Sequence, residues 1–300
     1  MFRTAAIVFI PLMLIFFTFG CGTDQEKILT DFTDLLSDKA TAENIHTIAD
    51  FLDENIAEVD GETATQMISA YREYLLNYII QNEDKMTVQE LSVYFDEESG
   101  LIDTEKIQNS EFKDYYEHIK AGCLMVLMRE GTPVLKVDHN KLLEKYGDYI
   151  SEPTKALYQF EAELIEKPTS QNATLAVSWD ELLERTYIAE RLLRDYPNEE
   201  HITADAMWIY TSHLNTLLMG TTNTPVFDYA TKEFSEAAKT AYQNFILSEP
   251  DAVLTWVLKE YFTYLNSIDY TLDFNDSTMS KVFFDTCDWL VTEAEKRVRE

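Results

Sequence analysis

The chain has 300 residues, with 24 Lys and Arg against 54 Asp and Glu, a formal net charge of −30 at pH 7. That surplus of anions repels phosphate backbones and anionic headgroups, so nucleic acid is excluded as a partner. The 46 % hydrophobic content supplies a packed core and excludes a disordered chain.

The first element is a leader. Arg3 precedes an apolar run from Ala5 to Phe19 that contains Pro11, then Gly20 and Cys21, and the chain turns polar from Thr23. A charged start, a short apolar stretch and a small residue at its end are the order of a secretory signal. A spanning helix needs about 20 consecutive apolar residues, which argues against a permanent transmembrane anchor. The Gly20-Cys21 junction resembles the lipobox of bacterial lipoproteins, although Thr18 and Phe19 depart from the usual leucine-like and small residues. In that family the cysteine receives a thioether-linked diacylglycerol and the chain is cut ahead of it. The resemblance implies a signal peptide over residues 1–20, lipid attachment at Cys21, and a polar tether over 21–27. Two acyl chains hold a protein on a bilayer stably where one does not. The expected location is the outer face of the cell membrane.

Beyond the tether the pattern is helical. Ile28, Leu29, Phe32, Leu35 and Leu36 share one face. Thr41 is placed to cap a second helix with the stripe Ile45, Ile48, Ala49, Leu52 and Ile56. After the Asp60-Gly61 turn, residues 62–81 read as a long helix carrying Met67, Ile68, Tyr71, Leu75, Tyr78 and Ile79. Thr87 and Glu90 form a capping box for a shorter helix ending at Tyr94-Phe95. The spacing predicts one helix from Asp103 to Arg129, a strand over Val134–Val137, a helix capped at Asp138 and another over Ser151–Glu166. The polar stretch Lys167–Thr174, with Pro168, is the best candidate for a boundary between helical regions at 28–166 and 175–300. Leu175–Val177 is the second short strand, able to pair with the first. Helices are expected over 179–196, 201–218, 230–247, 251–266 and 277–300. The fold class is all-α: an irregular, solenoid-like array of helical hairpins with at most one two-stranded β-ribbon.

Little chemistry is written in these residues. His46, His118, His139, His201 and His213 are never three or four apart, so zinc has no local signature. The acidic turns at 96–100 and 273–277 fail the calcium-loop spacing. Eight glycines leave little material for phosphate-cradling loops, and no Gly-x-Ser-x-Gly elbow occurs. Cys123 and Cys287 lie in apolar helical surroundings and read as reduced core thiols. No catalytic residue, metal ligand or cofactor is predicted, and the residues of any binding surface are not identified.

Two further resemblances exist. The segments YIAERLLRDYPNEEHITADAMWIYTSHL and TAYQNFILSEPDAVLTWVLKEYFTYL are both helix, acidic-Pro turn, helix, and loosely resemble the hairpins of tetratricopeptide-type solenoids without their consensus or fixed period. Most of the mature chain is similar to extracytoplasmic lipoproteins of Gram-positive bacteria that carry no assigned activity. The residues behind this are Arg129-Glu130-Gly131, Ser178-Trp179-Asp180-Glu181-Leu182, Asp195-Tyr196-Pro197 and Asn223-Thr224-Pro225-Val226-Phe227. The resemblance implies helix and lipid anchorage and brings no catalytic residues. The expected role is a membrane-tethered binding or scaffolding module for a protein, peptide or cell-wall component. The alternative is an α/α-toroid enzyme acting on carbohydrate or wall through an Asp/Glu pair. A solute-binding lipoprotein fits poorly, because such proteins alternate strands and helices.

Overall fold

A computed structural model describes residues 23–82, 93–96 and 100–300. The leader, Cys21 and residues 87–92 of the expected Thr87-capped helix lie outside the described residues, and its expected end at Tyr94-Phe95 is a turn followed by a bridge from Phe95 to Ile102.

Short oxygen-bearing side chains start most of the helices, since the first amides of a helix have no partner within it. Thr41 accepts from the Asn44 amide, Asn109 from Phe112, Asp138 from Lys141, Ser151 from Thr154, Ser178 from Glu181, Ser235 from Ala238, and Asp276 from Thr278 and Met279. The helices are α1 (Thr23–Ser37), α2 (Ala42–Asn55), α3 (Gly61–Asn82), α4 (Ser110–Ala121), α5 (His139–Tyr146), α6 (Glu152–Glu166), α7 (Trp179–Asp195), α8 (Glu200–Met219), α9 (Glu236–Ser248), α10 (Val253–Ser267) and α11 (Ser277–Arg297). The fold is all-α with minor β-ribbons.

Helices pair along the chain: α2 with α4, α5 with α6, α7 with α8, and α10 with α11. Successive units then meet: α6 touches α8, α7 carries α9 and α10, and α8 carries α11. Buried side chains from Phe32 to Val298 form one apolar cluster, which runs through both helical regions read from the sequence. Tyrosines fill much of it, and their hydroxyls tie helices to main chain. Tyr71 of α3 donates to Gly122 O at 2.8 Å, and Tyr261 of α10 to Leu218 O at 2.7 Å. Gly122 has to be glycine here, because a Cβ would stand 2.0 Å from Ile45 Cγ2.

The expected Asp103–Arg129 helix is instead three pieces. A 3-10 turn over Thr104–Lys106 precedes α4, and Gly122 closes α4. The chain reverses at Cys123 (φ 63°), and Leu124–Arg129 becomes strand β1, antiparallel to β2 (Thr132–Val137). Apolar residues at Cys123, Val126 and Leu127 satisfy a helical period, but a contiguous apolar run also suits a buried strand. The partner strand decides between them. Val134–Val137 therefore pairs with Leu124–Leu127, not with 175–177. Two more ribbons form: β3 (Ser170–Gln171) with β4 (Thr174–Leu175), which keeps only Leu175 of the expected 175–177 strand, and β5 (Gly220–Thr221) with β6 (Thr224–Pro225), where a turn was expected. Among the described residues the ribbons number three where at most one was expected, and the proposed boundary at 167–174 is a hairpin. Helix α9 also starts six residues later than its pattern suggests. Residues 229–231 form a turn, Lys232 has a φ of 66°, and Phe234 bridges to Phe227 and Glu233 to Thr271, which keeps this stretch out of the helix.

Two of the hairpin tips, β1–β2 and β3–β4, share a geometry. Glu130 and Gly131 have φ of 51° and 76°, and Asn172 and Ala173 have 50° and 56°. Positive φ at both central residues is the signature of the turn that matches strand twist. The tips also touch: Asn172 N donates to the Glu130 carboxylate, and Asn223 donates to Ala173 O and Asn172 O, both at 2.8 Å.

Candidate functional site

Helix α7 organises the polar features of the C-terminal half. Its buried face holds Leu182, Leu183, Thr186, Ala189 and Leu193, and also a charge, Glu190, which is fully buried. Ala252, which precedes α10, has no side-chain oxygen to cap it. Glu190 does this from α7: its two oxygens accept from Val253 N and Leu254 N, each at 2.7 Å, with Arg194 at 3.3 Å. Burial raises the Glu190 carboxyl, and these donors hold it down in part.

The exposed side of α7 borders two grooves. One, of about 500 Å³, runs between α7 and α9. Leu183, Ala241 and Phe245 are its buried floor, and Tyr187, Ile188 and Glu249 are half-buried walls. Asp180 and Glu184 stand exposed at one end, with Arg191 exposed at the other. Burial, and then the Glu249 carboxylate, raise the Tyr187 hydroxyl. The second groove, of about 410 Å³, lies across the same helix. It shares Asp180, Glu184 and Ile188 and adds Glu163, Glu181 and Arg185. Glu181 is committed, to Lys167 and to Arg185 at 2.8 Å. Ile188, half-buried, faces both grooves.

A second polar cluster lies deep in the fold. The guanidinium of Arg72 (α3) meets Glu161 of α6, Asp205 of α8 at 2.8 Å, and His139 Nε2 of α5 at 3.2 Å. It also lies 5.5 Å over the Tyr158 ring. His139 Nε2 is 3.0 Å from the other Glu161 oxygen. Burial would raise Glu161, but His139 and Arg72 outweigh it and hold its carboxyl below the ordinary range. Asp205 goes the other way: burial dominates, Arg72 offsets it, and Glu161 adds repulsion. The difference is that Glu161 has two basic neighbours in contact and Asp205 has one. These two acids therefore converge on a cation in the interior. A glycoside-cleaving pair has to flank an open site.

The five histidines scatter by role. His46 and His118 come together from α2 and α4 as stacked rings 5.0 Å apart, with Asp50 at 3.6 Å from His46. His201 shares a hydrogen bond with Thr154 at 2.9 Å. His139 and His213 are buried. Among the described residues, no three His, Cys, Asp or Glu side chains group as metal ligands. Cys123 and Cys287 are buried free thiols, each pushed up to about 12 by burial, and such thiols are protonated and inert at neutral pH. In the first acidic turn Gly100 N donates to Asp96 O; in the second, Asp273 pairs with Lys232 and accepts from Asn275 N, and Asp276 caps α11. Cys21, the one site residue named from the sequence, lies outside the described residues.

His213 gives a pH test of packing. Its Nε2 meets Thr169 Oγ1 at 3.1 Å, and burial, then Arg185, lower its pKa to about 4. Below pH 6.5 the unfolded chain takes up a proton that the folded protein refuses, so stability falls as pH drops towards 4. The loss is on the order of 2 kcal/mol by pH 5. His201 is also lowered by burial and adds the same sign. Urea unfolding at pH 7 and pH 5 will show a smaller pH-dependent loss in His213→Leu than in the parent. An unchanged loss would mean that His213 titrates normally.

Sequence reasoning did not find Arg72, Glu161, Asp205 or Glu190. A signal existed for the last: Glu190 falls at the helical interval of Thr186 and Leu193 on the buried face. Comparison of the chain with protein-family models, curated proteins and solved structures finds no match in any of the three. Among the described residues no helix is long and apolar enough to cross a membrane.

Proposed function

We propose that the protein is a lipid-anchored, extracytoplasmic helical module that binds a protein, peptide or wall component and performs no chemistry on it. The observation that carries the binding role is the open groove between α7 and α9, with an apolar floor and charged ends. The membrane tether is supported by the leader and the Gly20-Cys21 junction. The interior acids do not favour the toroid-enzyme reading, since Glu161 and Asp205 are spent on Arg72.

The anchor is tested by labelling cells with an alkyne-bearing palmitate and separating detergent and aqueous phases. The parent protein takes the label and enters the detergent phase. Cys21→Ala does neither and is found in the medium. Label on Cys21→Ala, or an unlabelled parent, defeats the anchor. The binding role is tested by capture from intact cells, with glycan turnover measured alongside. Turnover without a captured partner favours an enzyme.

A further inference from the structure

We infer that the occupant of the α7–α9 groove is a cationic amphipathic helix of a partner protein, an identification that rests on the binding-module reading. The lining recurs at 180, 183, 184, 187, 188 and 191 on α7 and at 241, 244, 245 and 248 on α9, with Glu249 just past its end. Intervals of three and four are the seam that a third helix covers when helices pack. This seam is open along exposed Asp180, Glu184, Asn244 and Ser248. From 180 to 191 it runs about 16 Å, or three helical turns.

The chemistry of the seam selects the guest. Its floor of Leu183, Ala241 and Phe245 calls for apolar side chains at helical spacing, the helix-in-groove mode of recognition. Asp180 and Glu184 are one turn apart and, among the described residues, form no ion pair. Glu163 continues the same sign across α7. The guest therefore carries Lys or Arg a turn apart over Asp180 and Glu184, on a host whose net charge of −30 already attracts cations. A glycan is disfavoured by the aromatics. Phe245 is buried, and Tyr187 meets it edge-on at 5.7 Å and 80°, so the pair presents no flat stacking face. A small polyamine would satisfy the acids and leave the apolar floor wet.

The test uses the full chain and a fluorescein-labelled synthetic peptide of about 15 residues. Leucines sit at i, i+3, i+4 and i+7, and lysines cover the flanks. Binding is read by anisotropy against a glutamate-for-lysine analogue and against competing spermine. The parent protein binds the lysine peptide, more weakly at higher salt. D180N/E184Q weakens it about tenfold, whereas E43Q/E54Q on α2, which removes the same formal charge, leaves it unchanged. Thermal melts confirm that both variants stay folded. Equal weakening by both pairs means diffuse attraction only and overturns the inference. So does equal binding of the glutamate analogue, or full displacement by spermine at matched charge. A partner captured from cells that still binds D180N/E184Q leaves the module reading standing and removes this groove from it. Glycan turnover with no partner removes the module reading itself.

Discussion

Arg72→Ala destabilises the protein by about 3–5 kcal/mol, the cost of leaving buried charge without its counterion. The side chain is 8 % exposed and holds Glu161, 14 % exposed, and Asp205, 33 % exposed. Removing it strands a buried carboxylate on α6 and loosens α3 from α8. Arg72→Lys restores about half of the loss, since a point charge cannot fork to two carboxylates and His139 together. The decisive measurement is a double-mutant cycle by urea unfolding. Glu161→Gln costs less in the Arg72→Met background than alone, because the partner charge has gone. Additive losses would show that the cluster is not coupled. The pH dependence of the cluster is mixed. Glu161 is held below the ordinary glutamate value, so its contribution is present above that value and lost as pH falls below it. Asp205 is raised, so its cost is relieved as pH falls and it opposes Glu161.

Glu190→Ala costs about 3–4 kcal/mol. It leaves the Val253 and Leu254 amides without acceptors in a dry interior and opens a void where a fully buried side chain stood. Charge-assisted bonds to helix amides are the strong kind, and here they replace the missing cap at Ala252. Glu190→Gln keeps one acceptor oxygen and loses about half as much. Hydrogen exchange separates this from a general loss of packing. The amides of Val253 and Leu254 lose protection before those of α8 do. Simultaneous loss throughout would assign Glu190 a purely steric role.

The helices were legible because the signals that make them are local. Thr41 and Asp138 cap where the sequence placed them, and the stripes Ile45–Ile56 and Met67–Ile79 are buried as their spacing requires. The strand at Leu124–Arg129 was not legible, since its apolar run is settled by a partner and not by its own period. The polar cluster was hidden for a related reason. Arg72 finds Glu161 across 89 residues and Asp205 across 133, and Glu190 finds its amides across 63 and 64. No local pattern encodes such pairings. The groove stripe is visible as ordinary amphipathicity in 180–191. Which flank of that helix stays bare depends on where α9 lies.

The row of touching hairpin tips has a mechanical consequence. Asn172 reaches Glu130, Asn223 reaches Ala173, and Leu175 N reaches Thr224 Oγ1 at 3.1 Å. Along that edge neighbouring helical hairpins are tied by hydrogen bonds at their tips, one between main-chain groups and two to the side chains of Glu130 and Thr224, outside the apolar core. A change in core volume is then taken up by rotation about this row, like pages turning on a spine, and shows as an altered splay at the opposite ends of the helices.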